Sequence, residues 1–529
     1  MGRNDSGVAR RTLGLGAAAV LAAPGIAAAQ GRRMLKVIPR GDLAVHDPLW
    51  TTAYPTRDHA FMVFDTLFGL DAGFRPQPQM VDTFGTETDG KVWTLKLRPG
   101  LRFHDGEPVL ARDCVASIRR WGARDTFGQT LMAATEELSA PDDATIRFRL
   151  RAPFPLLPYA LGKASPNICV MMPERLARTE AFTRVTEMVG SGPFRFLPRE
   201  QITGSFFAYE RFEGYVPRAQ GTPEWTAGPK RVNLDRVEMH VIVDSSTAAA
   251  ALQRGEMDWW SWPEADLLPL LARSRDITLR EADPTGLIGT LRLNHLVAPF
   301  DNPAIRRAVL RAVRQEDFMS AVAGTDRQYW RDGVGYFCPI SPMASQAGMS
   351  AMDGNLDAAK RELREAGYAG EKIALMGSSI SILKATTDVA YDLFQRLGLN
   401  VEYQAMDWGT LVQRRVRKEP VDQGGWSAFG TFWGGLDHFD PAVHAFLRGN
   451  GGEAAPGWPD SPRIEELRGK WFAAAEPAEQ KRLAEEMQRQ AFQDVPYIPI
   501  GMQRAITAYR KNVTGILDGV PVFWNLERG

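Results

Sequence analysis

Cysteine is scarce in this chain of 529 residues, and so are two other features that would narrow its function. Three cysteines, Cys114, Cys169 and Cys338, exclude a disulfide-built scaffold, and we expect all three to be buried small hydrophobic residues. Lys and Arg total 63 and Asp and Glu total 63, so no basic excess indicates a nucleic-acid partner. No stretch reaches the eighteen apolar residues of a transmembrane helix. A chain that is 44% apolar and 24% charged is typical of a globular protein with several domains.

The first 29 residues have the composition of an export signal. The pair Arg10 and Arg11 precedes an apolar run over 13–26, and three alanines ending at Ala29 precede Gln30. This order predicts a signal peptide removed near Ala29. The twin arginines favour the Tat route, with the Sec route as the alternative. A membrane anchor is disfavoured because about fourteen residues are too few to cross a ~30 Å hydrocarbon core. We therefore expect an exported protein of the periplasm.

The rest of the chain alternates strand-like and helix-like segments. Residues 34–38 and 145–150 have strand patterns, and apolar residues spaced by three and four predict a helix over 58–68. Helices are also predicted over 245–254 and 382–397, each followed by a glycine that ends it. Repeated strand–helix alternation predicts an α/β protein.

Motifs of enzymes and metal proteins are missing. The segment Gly425-Trp426-Ser427-Ala428-Phe429 fails the GxSxG pattern at its last position, and there is no phosphate-binding GxxxxGK[ST]. The seven histidines form no HExxH pattern and the cysteines no CxxC. We expect no catalytic residue, metal or cofactor. An exported hydrolase is the alternative, since carboxylate pairs are common in any chain with 63 acidic residues.

Five segments, in order, resemble the bacterial extracellular solute-binding proteins of family 5. They are WTLKLRPGLRFHDGEPVLARDCVASIRRW (93–121), SGPFRF (191–196), ALQRGEMD (251–258), LNHLVAPFDNPAIRRAVLRAVRQEDF (293–318) and DVPYIPI (494–500). Each is weak alone, but five in order over about 400 residues are specific. Members of this family serve ABC importers of dipeptides, oligopeptides, nickel and related solutes.

The resemblance implies a two-lobed periplasmic binding protein of the Venus-flytrap type, an α/β fold with an extra inserted subdomain. Lobe I would comprise 30–60, 190–285 and 496–529, the inserted subdomain 61–189 and lobe II 286–495. The lobes would close on a ligand by a hinge motion.

The resemblance also implies the partners of the chain. A monomer is expected to capture a peptide or a similar small polar organic solute and to deliver it to ABC permease subunits in the inner membrane. ATPase subunits would take part only indirectly, and no nucleic acid would be bound. A solute sensor or a periplasmic chaperone could use the same binding fold.

Peptide-binding members carry Gly-Trp-x-x-Asp, in which the Asp pairs with the ammonium group of the ligand. Phe429 stands in that Asp position here, which argues against recognition of a free peptide N-terminus unless another acid takes over. Asp437 or Asp440 could do so, although both could equally serve turns.

Aromatic residues provide the other candidate contacts. The segment GGWSAFGTFWGG (424–435) is rich in aromatics and glycines, which suits either a cleft wall or core packing. Three tryptophans at 259–262 allow the same two interpretations. The predicted ligand-binding residues are Tyr54, Trp260, Trp262, Asn294, Trp426, Phe429, Trp433 and Asp437.

Overall fold

The computed structural model describes residues 33–87 and 89–529, so the predicted signal peptide lies outside the described residues. The strands are β1 (Met34–Ile38), β2 (Asp65–Thr66), β3 (Phe68–Leu70), β4 (Pro76–Pro78), β5 (Val81–Thr86), β6 (Val92–Leu97), β7 (Thr135–Ser139), β8 (Thr145–Leu150), β9 (Val170–Met171), β10 (Phe194–Phe196), β11 (Phe206–Arg211), β12 (Arg236–His240), β13 (Trp259–Trp260), β14 (Ile277–Leu293), β15 (Trp330–Arg331), β16 (Ile373–Ser378), β17 (Val401–Met406), β18 (Ala428–Gly434), β19 (Ile498–Arg510), β20 (Val513–Thr514) and β21 (Glu527–Arg528).

The α-helices alternate with these strands. They are α1 (Tyr54–Val63), α2 (Ala111–Arg124), α3 (Thr126–Ala134), α4 (Leu157–Gly162), α5 (Glu174–Ala177), α6 (Ser245–Arg254), α7 (Leu268–Ala272), α8 (Pro303–Ala312), α9 (Gln315–Ala323), α10 (Leu356–Glu365), α11 (Ser381–Leu397), α12 (Trp408–Arg414), α13 (Pro462–Ala473) and α14 (Pro477–Asp494). None of the helices in the described part of the chain is long and apolar enough to cross a bilayer.

Local sequence explains several helix ends. The Asn302 side chain accepts a hydrogen bond from the Ala304 amide at 2.9 Å, at the start of α8. Gly255 ends α6 in the left-handed conformation, with φ of 78°, as predicted. The helix predicted over 58–68 is wrong in its bounds, because α1 ends at Val63. Phe64 is extended there, and the chain continues into β2 and β3.

The main sheet has two halves that share two long strands. Its order is β10-β11-β12-β1-β13-β19-β14-β18-β16-β17, and β15 pairs with β19. The strands β14 and β19 run antiparallel through the middle, and their pairing shifts register between Glu281 and Leu287. Before that irregularity β14 belongs to the half containing β1 and β13. After it, β14 pairs with β18. Two long strands therefore run continuously from one half of the sheet into the other, and their pairing is irregular where they pass between the halves.

A second, smaller sheet belongs to the part of the chain between α1 and β10. Its order is β5-β6-β8-β7, all antiparallel, and α2 and α3 pack beside it. Phe127 and Phe154 reach across to Phe472 of α13, with ring centroids 5.8 and 6.0 Å apart. An apolar contact thus connects this smaller unit with the second half of the main sheet.

The three cysteines are free and buried, which confirms the expectation from their scarcity. The pKa of each thiol is raised, mainly by burial. They act as packing residues.

Candidate functional site

A cavity of about 170 Å³ lies between the smaller unit and the segment that begins at the end of β18. One wall comes from Thr52, residues 124–126 and residues 163–167, and the facing wall from residues 433–446, which begin at the end of β18. The two walls are far apart in the sequence, and tertiary packing brings them together. A concave site at a junction between structural units is the common location for a small ligand.

Tyr54 and Asp437 connect the two sides beside this cavity. The Tyr54 hydroxyl, at the start of α1, donates a hydrogen bond to Asp437 Oδ2 at 2.9 Å. The same hydroxyl accepts a hydrogen bond from the Gly434 amide. Asp437 sits in a short 3₁₀ turn, Gly435–His438, that follows β18. The structure therefore brings together two of the predicted ligand residues that are 383 positions apart.

Asp437 is a buried carboxylate without a bonded cation. It is 8% exposed, and burial raises its pKa to about 6, against the lowering effects of the Tyr54 bond and of the charges of Arg57 and Lys163. Those two cations are already paired at closer range. Arg57 contacts Asp58 at 2.9 Å and Lys163 contacts Asp125 at 2.7 Å. A cationic ligand group next to Asp437 would offset the cost of desolvating its charge.

Asp440, the other acid that the sequence offered, has a different environment. Its carboxylate accepts a hydrogen bond from the Tyr159 hydroxyl at 2.7 Å and from the amides of Ala442 and Val443 at 2.8 and 3.3 Å. These contacts stabilise the turn that follows, and Asp440 does not line the cavity. Of the two acids, only Asp437 faces it.

Trp433 provides an aromatic wall for the cavity. Its ring packs on Phe446 at 4.9 Å, and its indole Nε1 is buried without a hydrogen-bond partner among the described residues. His438 and His444 stack at 4.1 Å behind it. Burial lowers the pKa of both imidazoles, that of His444 to about 3, so both are neutral at neutral pH. The cavity thus combines neutral rings with one carboxylate, Asp437, that forms no ion pair within the described residues.

Four of the predicted residues lie in the interior instead. Asn294, Trp426 and Phe429 are fully buried among the residues that surround the second half of the main sheet. The Asn294 amide donates to the Trp426 carbonyl at 2.8 Å, and the ring of Phe429 packs against Trp426. Trp260 is 5% exposed and packs in a small core with α6. The structure places none of the four against the cavity, because each fills space beneath its own sheet, and ligand contact by them stays a prediction.

Trp262 occupies a third kind of position. It follows β13, is half-buried and lies with its ring 4.2 Å from the guanidinium carbon of Arg40. Arg40 itself was missed in the sequence, as were the cavity residues Lys163 and His444. A usable signal existed for Arg40, which comes two residues after the apolar β1, where the carboxyl end of a parallel strand favours binding residues.

No metal site is evident in the described ranges. Within 33–87 and 89–529, no three His, Cys, Asp or Glu side chains are arranged to hold a metal ion.

These features define a class of protein. Two α/β lobes that share two long strands, together with a small polar and aromatic cavity, are typical of a two-lobed solute-binding protein. The model of the bacterial extracellular solute-binding proteins, family 5 (middle), matches residues 75–453. The chain belongs to this family. Family members are binding proteins of transporters and not enzymes.

Relatives and solved structures agree with this assignment. The probable peptide ABC transporter periplasmic-binding protein y4tO of Sinorhizobium fredii is 37% identical, over 98% of this chain and 99% of the relative. The glutathione-binding protein GsiB of Pectobacterium atrosepticum is 26% identical, over 85% of each chain.

Among solved structures, AgaA in complex with agropinic acid from A. tumefacien R10 has a TM-score of 0.78 at 19% identity, over 94% of this chain and 99% of that one. DppA from Helicobacter pylori in complex with the peptide STSA has a TM-score of 0.77 at 20% identity, over 94% and 98%. At these identities the two structures support the fold alone.

Proposed function

We propose that this protein is the periplasmic substrate-binding component of an ABC importer. It captures a short peptide or a similarly compact polar organic solute between its lobes and delivers it to permease subunits in the inner membrane. The 37% identity to a probable peptide ABC transporter periplasmic-binding protein over nearly the whole chain supports the transport role. The periplasmic naming of that relative and the Arg10–Arg11 signal support export. In this proposal the mature chain acts as a monomer.

The hinge proposed between the lobes lies where β14 and β19 lose their register, next to the predicted boundary at 285 and 286. Lobe I would then be 30–60, 190–285 and 496–529, lobe II 286–495 and the inserted subdomain 61–189. In this division Tyr54 belongs to lobe I and Asp437 to lobe II. Their hydrogen bond is made when the lobes approach and is lost when they separate.

The observation that carries the proposal is the buried, cation-free carboxylate of Asp437 beside the cavity. A solute with an ammonium group would pair with Asp437 and pack an apolar part on Trp433. Asp437 would then pair with the ammonium group, which Phe429 cannot do at the position where peptide-binding relatives have Asp. Because the closed state alone assembles this environment, an amine-bearing solute binds that state preferentially and drives closure.

The size of the cavity favours a compact solute. About 170 Å³ is below the ~300–1,000 Å³ of usual ligand pockets. A long peptide would need a more open arrangement of the lobes. A dipeptide, a tripeptide such as glutathione, or an amino-acid conjugate of opine size fits the proposal better.

The test is native mass spectrometry of protein purified from a periplasmic extract, before and after mild denaturation. The wild type is compared with Asp437→Asn, which keeps an acceptor for Tyr54 but removes the charge. Asp422→Asn, at an exposed position of lobe II, is the matched control. We expect a released solute with an amine from the wild type and from the control, and at least a tenfold loss of occupancy in Asp437→Asn. Equal occupancy in all three proteins would refute the role of Asp437. A wild type that neither carries a solute nor is stabilised by any peptide would refute the proposed function.

A further inference from the structure

Arg40, which follows β1, is a cation held in place by two aromatic rings. Its guanidinium carbon lies 4.3 Å from the centroid of the Tyr54 ring and 4.2 Å from that of Trp262. All three side chains are half-buried. Stacking on aromatic faces fixes the plane of a guanidinium while leaving its N–H groups free to bond.

The N–H groups of Arg40 have no partner among residues 33–87 and 89–529, where its side chain makes neither a hydrogen bond nor an ion pair. Arg57 is an internal comparison. It also stacks on Tyr54, at 4.8 Å, but it forms an ion pair with Asp58. The nearby Asp283 is satisfied by the amide and hydroxyl of Thr285 at 2.9 and 2.6 Å. Of the two arginines on this ring, only Arg57 forms an ion pair among residues 33–87 and 89–529.

The position of Arg40 in the fold is that of a binding residue. Arg40 follows β1 and Trp262 follows β13, two parallel neighbours in the sheet. In α/β folds, ligands bind beyond the carboxyl ends of such strands. Burial lowers the pKa of Arg40, while the charges of Asp58 and Asp283 raise it, so its environment has a desolvation cost that a bound anion would offset.

Tyr54 connects this cation with the proposed ammonium site. Its ring faces Arg40 and its hydroxyl bonds Asp437. Within the described residues, a cation and a carboxylate that each lack an ion pair therefore contact the same tyrosine, Arg40 at its ring and Asp437 at its hydroxyl. This arrangement is complementary to a solute that carries both charges.

We infer that Arg40 binds a carboxylate of the transported solute, so that the protein selects compact zwitterions over cationic amines. The inference rests on the proposed function and deepens it by naming the second charge of the ligand. A guanidinium held flat between two rings presents a fork of N–H donors that matches the two oxygens of a carboxylate. An uncharged amide or ester offers no such match.

The test uses two matched pairs of probes: trialanine with trialanine amide, and glutathione with glutathione dimethyl ester. Each pair keeps the ammonium that Asp437 would bind and changes the carboxylate state. Affinities are measured by calorimetry, with thermal shifts as a second readout, for wild type, Arg40→Ala and Arg40→Lys. Arg327→Ala is the control, because Arg327 stacks on Trp330 at 4.7 Å but forms ion pairs with Glu316 and Asp332.

We expect the acid of at least one pair to bind the wild type and the control about ten- to a hundredfold more tightly than its neutral partner. This preference should be lost in Arg40→Ala and partly kept in Arg40→Lys. A preference that persists in Arg40→Ala, or amides that bind the wild type as well as acids, would overturn the inference and leave the proposed function intact. If none of the four probes bound the wild type, the inference would be overturned together with the proposed recognition of peptide-like solutes. The acid-to-amide ratio separates a binding role from a structural one, since general destabilisation weakens both members of a pair.

Discussion

Removing the charge of Asp437 should favour the closed protein in the absence of solute. Asp437→Asn keeps an oxygen that accepts the Tyr54 hydroxyl but has no charge to desolvate. The pKa of Asp437 is about 6 in the closed structure, against about 3.9 for aspartate in water. At ~1.4 kcal/mol per pKa unit, the ionised carboxylate costs about 3 kcal/mol. The variant should therefore raise the closed-to-open ratio about a hundredfold at pH 7.5.

The pH dependence follows from the same raised pKa. The closed state binds a proton at Asp437 more tightly than a solvated aspartate does, so closure is weakened as the pH rises from about 4 to about 6. Above pH 6 the full cost is present, and near pH 4 and below it disappears. The difference between wild type and Asp437→Asn should thus shrink on acidification. Other buried acids also titrate here, but they are common to both proteins.

Small-angle scattering of solute-free protein at pH 7.5, 6 and 4 measures this difference as a radius of gyration. We expect Asp437→Asn to be more compact than the wild type at pH 7.5 and the two to converge at pH 4, with Asp422→Asn following the wild type. Identical radii at pH 7.5, or a difference that grows on acidification, would refute the reasoning. Such a result would mean that burial of the carboxylate does not oppose closure.

Three further experiments test other parts of the structure. Trp433→Ala should weaken solute binding with little change in melting temperature. Trp426 is fully buried, so Trp426→Ala should lower the free energy of unfolding in urea by about 3–5 kcal/mol. Equal stability of the two variants would contradict the different placement of these two side chains. Lys230→Ala should lower the free energy of unfolding by about 3–5 kcal/mol, because it leaves the buried Asp65 without the cation that lies 2.7 Å away. Lys470→Ala, which removes an ion pair at the surface, should lower it by under ~1 kcal/mol. The three thiols should react with a thiol reagent only on unfolding, and fast labelling of the native protein would show that a cysteine is accessible.

Much of the fold could be predicted from the sequence because local patterns set it. Helix ends at Asn302 and Gly255 are determined by one residue each, and the strand over 145–150 alternates as the structure does. The helix over 58–68 was misplaced because the apolar spacing of three and four continued into β2 and β3, which are buried on both sides. A buried strand and a buried helix are not separable by periodicity over so few residues.

The site was harder to predict because exposure depends on the tertiary packing. The segment 424–435 reads as one aromatic stretch, yet Trp426 and Phe429 point into the core while Trp433 reaches the cavity. Nothing within the segment separates these outcomes. Asp437 and Asp440 are likewise three residues apart and chemically identical. Only the partners supplied by distant elements, Tyr54 for one and Tyr159 for the other, distinguish them.

A binding protein of this kind needs a closed state that is less stable without its solute than with it. In the proposed division, the apolar contact of Phe127 and Phe154 with Phe472 joins the inserted subdomain to lobe II and would favour closure whether or not a solute is bound. The buried charge of Asp437 opposes it, and an ammonium would remove that opposition. A solute can shift the equilibrium only by its differential affinity for the closed state, so the unfavourable charge is what couples recognition to closure. Asp437→Asn should therefore close more readily and respond less to solute.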